Sequence, residues 1–321
     1  MAWNNSKRKK KQQQKKIIRS VITFAIILIL GLISWLTEPW QYLDGNDGKT
    51  EVGSKQEANI NDLQVHYIDM GQADAILIRV PTENGTENML VDAGTSSGYS
   101  DKVLIDYLDA LDIETLTYMM ITHPHLDHGG AAKEVIEAYD VENIILPECD
   151  ATQVFWLDMF EAMEEKDLSY IPSEPGDTYR MGDASFTILG PVDASAVKSD
   201  TNNYSIVMRL DYGETSFVFT GDAEKKSEQA MLAALPASAF KCDVLKIGHH
   251  GSRTSTCDEF LAATNPSLAI IPCGEGNDHG HPNEEVIVRL QEAEIPILRT
   301  DLEGTIIICS DKKEVYRLTK E

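Results

Sequence analysis

The stretch 121-ITHPHLDHGG-130 crowds His123, His125, Asp127 and His128 into six residues, after the apolar run 116-LTYMMI-121 and before a diglycine. In an extended segment, residues i and i+2 point the same way, so His123 and His125 can reach one cation. Asp127 and His128 turn toward a second position on the far side of the loop. Gly129 and Gly130 then permit a tight turn into the next helix. Such a set between a buried strand and two glycines predicts a metal centre. A pair of ions a few ångströms apart also needs a shared acidic ligand and a distal histidine.

Both are present, each at the end of a strand-like run. In 217-FVFTGDAE-224, Asp222 follows apolar residues, where an unpaired carboxylate is costly. It also suits a helix N-cap, but Gly221 before it permits close approach to an ion. In 244-VLKIGHHGS-252, His249 and His250 sit in a glycine-flanked turn after another strand. Adjacent histidines in that setting are seldom core packing alone.

The chain has 321 residues and a formal net charge of −24. Residues 1–36 carry eight Lys or Arg and no acid, so the remainder holds 20 basic against 52 acidic residues, a charge of −32. A body that acidic repels phosphate backbones at long range, which argues against tight non-specific DNA binding. The basic head at 1–16 runs into 17-IIRSVITFAIILILGLISWL-36. Twenty residues at about 1.5 Å each span roughly 30 Å, the thickness of a bilayer core. No small-x-small cleavage site follows, which argues for an uncleaved transmembrane anchor over a signal peptide. The positive-inside rule then places the rest of the chain outside the cytoplasm, on the cell membrane as a single-pass protein. The five cysteines show no paired spacing, so neither a disulfide framework nor a thiolate zinc site is indicated.

Residues 37–61 are polar and Gly/Asn-rich and read as a linker. From 62 to 321, strand-like and helical segments alternate. Strands are expected at 63–69, 74–80, 88–94, 116–122, 184–190, 204–213, 215–222, 242–248, 268–274, 296–300 and 304–309. Helices are expected at 101–111, 130–139, 223–235 and 283–293. Two such series predict an α/β domain of two similar halves.

The order of THPHLDHGG, 91-VDAG-94, 219-FTGD-222 and 248-GHHGS-252 resembles that of the metallo-β-lactamase-fold hydrolases. More specifically, 68-IDMGQADAILI-78, 202-NNYSIVMRL-210, 246-KIGHHGS-252, 280-GHPNEEV-286 and 300-TDLEGTI-306 are similar to the metallo-hydrolase domain of ComEC-type competence proteins. The resemblance covers roughly residues 62–310. It implies a four-layer αβ/βα sandwich with two divalent ions, zinc or manganese, at one edge. It also implies His123, His125, Asp127, His128, Asp222 and one GHHGS histidine as ligands. His249 is the expected ligand, with His250 beside it as a catalytic group. Asp92 would brace the ligand loop and His281 would lie at the pocket rim.

Two departures stand out. No histidine lies between 129 and 248, where many of the wider superfamily supply another ligand, so the first ion would hold His123, His125, Asp222 and a hydroxide. Ala73 also replaces the second glycine of the group's GQGDA, which implies strain if that position needs a positive φ. ComEC proteins join this domain to a multi-helix channel, which a single span cannot form.

These readings predict a membrane-anchored, extracytoplasmic phosphodiesterase or nuclease. A metal-bridging hydroxide would attack phosphorus in line. Asp127 would hold both ion and nucleophile. Asn203, Ser205, Lys246 and Ser252 would position phosphate oxygens. The alternative is a non-catalytic metal-binding module of the same fold. The expected partners are a phosphodiester, from nucleic acid or the envelope, and the membrane itself.

Overall fold

The structure is a computed structural model and describes residues 52–96, 100–192 and 200–319. The basic head, the expected anchor and the linker up to residue 51 lie outside the described residues. Among the described ones, no helix is long and apolar enough to cross a membrane.

From Leu63 onward the strands divide their side chains with a period of two. Val65, Tyr67, Ile76, Ile78, Val80, Met89 and Val91 enter one core, whereas Leu77 and Leu90 enter another. In the second half, Phe217, Phe219 and Ile270 join the first core while Val218, Ala269 and Ile271 face a third. A strand apolar on both faces must be covered on both, by a sheet on one side and helices on the other.

The chain meets that demand with two facing sheets. One has, in spatial order, Gly53–Lys55, Val315–Leu318, Ile306–Ser310, Leu63–Tyr67, Ile76–Thr82, Gly85–Val91, Tyr118–Met120, Ile144–Leu146 and Tyr170–Pro172. The other has Thr178–Met181, Ala184–Gly190, Val207–Tyr212, Thr215–Phe219, Val244–Lys246, Leu268–Ile271 and Ile297–Arg299. Helices Ser100–Asp109, Ala132–Ala138 and Val154–Glu165 cover the outer face of the first sheet through Leu104, Val135, Trp156 and Met159. Helices Lys225–Ala234, Asp258–Thr264 and Glu284–Glu292 cover the second through Met231, Phe260 and Leu290. The order helix, sheet, sheet, helix is the expected α/β sandwich.

Some elements differ from the sequence reading. Residues 53–55, within the expected linker, pair in parallel with Tyr316–Leu318. An edge strand of exposed side chains bonds through its backbone and needs no apolar pattern. Val154–Glu165 adds a helix, and Ile144–Leu146 and Tyr170–Pro172 add strands too short to show periodicity. In the GQADA loop the positive φ falls on Gly71, at 70°, and not on Ala73, so the alanine is unstrained.

Candidate metal centre

The centre forms beyond the C-terminal ends of Gly85–Val91, Tyr118–Met120, Thr215–Phe219 and Val244–Lys246, whose following loops carry Asp92, residues 122–128, Asp222 and His249–His250. Gly130 is needed there for space rather than conformation. Its φ is −59°, yet a Cβ would lie 2.3 Å from the Leu126 carbonyl oxygen and 2.4 Å from the Ser96 nitrogen. Gly221 takes φ 50°, and a Cβ on it would meet Thr122 at 2.9 Å. That close approach brings Asp222 into the histidine loop.

Asp222 lies at the middle. Its Oδ1 is 3.3 Å from His128 Nε2. Its Oδ2 is 3.6 Å from His249 Nε2 and 3.9 Å from the Nε2 atoms of both His123 and His250. Asp127 Oδ2 lies 3.4 Å from His250 Nε2 and 4.0 Å from His128 Nε2. His123 Nε2 and His125 Nδ1 are 3.0 Å apart. Ligand bonds of about 2.0–2.2 Å in tetrahedral array put ligand atoms about 3.3–3.6 Å from one another. The observed spacings fall near that value.

The outer ring nitrogens fix which inner ones are bare. His128 Nδ1 donates to Asp92 Oδ2 at 2.8 Å, and His250 Nδ1 donates to the Pro272 carbonyl at 3.0 Å. Thr122 Oγ1 gives its one proton to Asp92, so it accepts from His123 Nδ1, as does Ser205 Oγ at 3.2 Å. Each Nε2 therefore presents a lone pair to the centre when its ring is neutral. The buried atoms His128 Nε2, His250 Nε2 and Asp222 Oδ1 have no hydrogen bond. Acceptors facing one another in a buried space must share either protons or a cation. The residues present fit divalent ions.

Asp74 belongs to the back of this cluster. Ligand atoms of Asp74, His128, Asp222 and His250, all buried, lie within 4.8 Å of one another. Asp74 nonetheless faces the outer nitrogens, with Oδ1 3.4 Å from His250 Nδ1 and Oδ2 3.8 Å from His128 Nδ1. Its carboxylate is neutralised by Lys246 Nζ at 2.6 Å.

The electrostatics follow from this packing. Burial would raise Asp222, but His128 and His250 outweigh it and hold the carboxyl well below its usual range. Asp127 is also held low, by His128 and His250 against burial. Burial and the neighbouring His128 push His123 well down. Burial would lower His128 and His250 too, but Asp222 and Asp92 lift the first well up, and Asp74 and Asp222 lift the second to about 10. Without a cation, protons on these two rings balance the carboxylates. Binding an ion must release them, so affinity rises with pH.

Several expected site residues stand elsewhere than the sequence suggests. Lys246 does not reach a substrate: it is 1% exposed and spent on Asp74 and on the Gly221 and Ile247 carbonyls. Asn203 is buried, its Oδ1 accepting the N–H groups of Glu224 and Ser227 at the start of a helix. Ser205, also buried, orients His123 and accepts the Asp222 N–H. Ser252 bonds Thr254 at 2.9 Å. Of the two adjacent histidines, His250 is the one beside Asp127 and His128, whereas the sequence reading assigned the ligand role to His249. His281 lies partly exposed beside both, its ring 5.3 Å from that of His249. Asp92 braces His128 and Thr122. Glu224 is absent from the sequence reading: an acid two positions after Asp222 is indistinguishable there from an ordinary helix-start residue.

A buried array of histidines and carboxylates at the edge of an αβ/βα sandwich defines a metal-binding protein of hydrolase type. The family model of the metallo-beta-lactamase superfamily matches residues 68–275, and the chain belongs to that superfamily. It is 33% identical over 257 residues to ComE operon protein 3 of Bacillus subtilis, covering 76% of this chain and 32% of that one. Recombination protein 2 of Haemophilus influenzae is 30% identical, over 76% of this chain and 28% of its own. Competence protein ComA of Neisseria gonorrhoeae is 26% identical, over 77% of this chain and 32% of its own. The chain thus spans about a third of the length of these curated relatives. The crystal structure of the metallo-beta-lactamase fold protein YhfI from Bacillus subtilis superposes with a TM-score of 0.51 at 13% identity, covering 78% of this chain and all of that one. That likeness concerns the fold.

Proposed function

We propose that this chain is a metal-dependent phosphodiesterase acting outside the cytoplasm from a membrane anchor. The observation that carries the reading is the inward convergence of Nε2 atoms on Asp222, with every outer nitrogen of His123, His128 and His250 already committed. His123, His125 and Asp222 would hold one divalent ion, and Asp127, His128, His250 and Asp222 the other, zinc or manganese in each case. Bound ions of this kind acidify water and draw charge from phosphoryl oxygens. The chain's own residues do the rest. Asp127, ionised and 36% exposed in its side chain, is the acceptor that orients a water at the mouth. The buried rings behind it exclude competing water. His281, partly exposed at the rim beside His249, would meet the substrate's phosphate.

Similarity to competence proteins favours a nucleic-acid diester, while the acidic body favours a small one. Salt separates them. A nuclease that binds through Lys and Arg contacts releases counterions, so its binding collapses as salt rises. Here repulsion dominates and salt screens it. With manganese or zinc fixed, kcat/KM on an oligonucleotide is expected to stay flat or rise from low to physiological ionic strength. A phosphocholine ester should be nearly indifferent. A steep fall on DNA would show a local basic track outweighing the global charge. No turnover of single-stranded DNA, RNA, bis-p-nitrophenyl phosphate or p-nitrophenyl phosphocholine with any divalent metal would end the phosphodiesterase reading.

The anchor rests on the basic head and twenty-residue apolar run at 17–36. Protease added to intact cells is expected to remove the domain while an N-terminal tag survives inside. Full protection of the domain would refute that topology.

A further inference from the structure

We infer that the consecutive histidines of the GHHGS turn serve different ions, His250 the one beside Asp127 and His128, and His249 the one beside His123 and His125. This rests on the two-ion reading of the centre and repairs its one deficit. The chain offers no histidine between 129 and 248, so the first ion otherwise has only three protein ligands.

The backbone is the first support. His249 and His250 both adopt left-handed conformations, φ 51° and 53°. Side chains with a Cβ disfavour this region, and His249–His250 are the only two such residues in succession among the described residues, which marks a turn held against its local preference. The result is that neighbouring rings, which would ordinarily diverge, both aim Nε2 at Asp222 Oδ2, at 3.6 and 3.9 Å. Their centroids are 6.3 Å apart and their planes cross at 65°, so they approach that oxygen from different directions.

The second support is what lies behind each ring. His250 donates Nδ1 to the Pro272 carbonyl. His249 Nδ1 faces the Glu224 carboxylate at 3.4 Å, with Asn202 Nδ2 also at 3.4 Å. Glu224 is itself fixed, accepting from Thr254 Oγ1 at 2.7 Å and from Asn202 and Asn203 Nδ2 at 3.5 Å. The asparagine pair 202-NN-203 thus belongs to a support whose ring facing the centre is His249. A carboxylate behind an imidazole orients it and strengthens its inner nitrogen as a donor to metal. A histidine that only brushed substrate would need no such backing. Asp222 Oδ2, His123 Nε2, His125 Nδ1 and His249 Nε2 then make a four-ligand set, and Asp127, His128, His250 and Asp222 make the other.

The test counts ions. The full chain, purified in mild detergent, is loaded with manganese, dialysed, and assayed by elemental analysis, titration calorimetry and electron paramagnetic resonance. Wild type is expected to hold two ions with an exchange-coupled signal. His249→Ala and His250→Ala should each hold one, without coupling. His281→Ala, whose ring also neighbours the site, should keep both. Glu224→Gln, which preserves shape, should still take two ions, the weaker bound about 10–100-fold less tightly than in wild type. It decides the matter if His249→Ala does not fold. Two coupled ions in His249→Ala at wild-type affinity, or unchanged affinities in Glu224→Gln, would overturn the assignment while leaving the two-ion centre standing. Fewer than two ions in wild type would overturn both.

Discussion

Asp222→Ala is expected to strip the chain of both ions and to lower hydrolysis of any phosphodiester it accepts on the order of a thousandfold or more. Asp222 faces four histidines. One carboxylate oxygen faces His128, and the other faces His123, His249 and His250. On the proposed two-ion reading, replacing His125 would remove one of the residues holding one ion, whereas removing Asp222 would remove a residue that holds both. The fold should survive, because Asp222 sits at a loop beyond Thr215–Phe219 and its N–H bond to Ser205 uses the backbone. Thermal melting separates loss of metal from loss of structure. A folded Asp222→Ala protein that keeps two ions, or turns over at the wild-type rate, would remove this residue from the centre.

Lys246→Met is expected to destabilise the protein by about 3–5 kcal/mol, because it leaves a buried carboxylate without its cation. Lys246 and Asp74 are both almost fully buried, 2.6 Å apart. Burial alone would raise the Asp74 carboxyl, but Lys246 and His250 hold it at about 2. A carboxyl depressed in the fold contributes stability above its unfolded value, and that contribution fades as pH falls through the folded one. The loss in Lys246→Met should therefore be greatest near neutrality and shrink in acid, where Asp74 carries a proton in both states. Pairing the change with Asp74→Asn should recover much of the stability, since apolar or neutral replacements for both partners leave no orphaned charge. Chemical denaturation of the three variants at two pH values tests this. A single variant as stable as wild type would mean that the pair contributes nothing.

The histidine loop was legible because its members are local. His123, His125, Asp127 and His128 come from one turn, and the spacing that unites them in sequence also unites them in space. Asp222 and the His249–His250 pair were legible by their positions after apolar runs. The alternating strands announced a sandwich for the same reason, since a strand apolar on both faces admits few partners.

What could not be read was direction. Lys246, Asn203 and Ser205 have the chemistry of phosphate-binding side chains, and only burial against Asp74, Glu224 and His123 turns them into supports. Which histidine of the pair meets Asp127 depends on two left-handed residues, and backbone angles leave no trace in residue type unless glycine is used. Glu224 lay unnoticed because the residues it joins, Asn202, Thr254 and His249, are 22 to 30 positions away along the chain. Local sequence thus determined the candidate ligand types and the layers that would carry them. Tertiary packing alone decided which polar atoms face the centre and which stand behind, because that choice is made by contacts between loops distant in the chain.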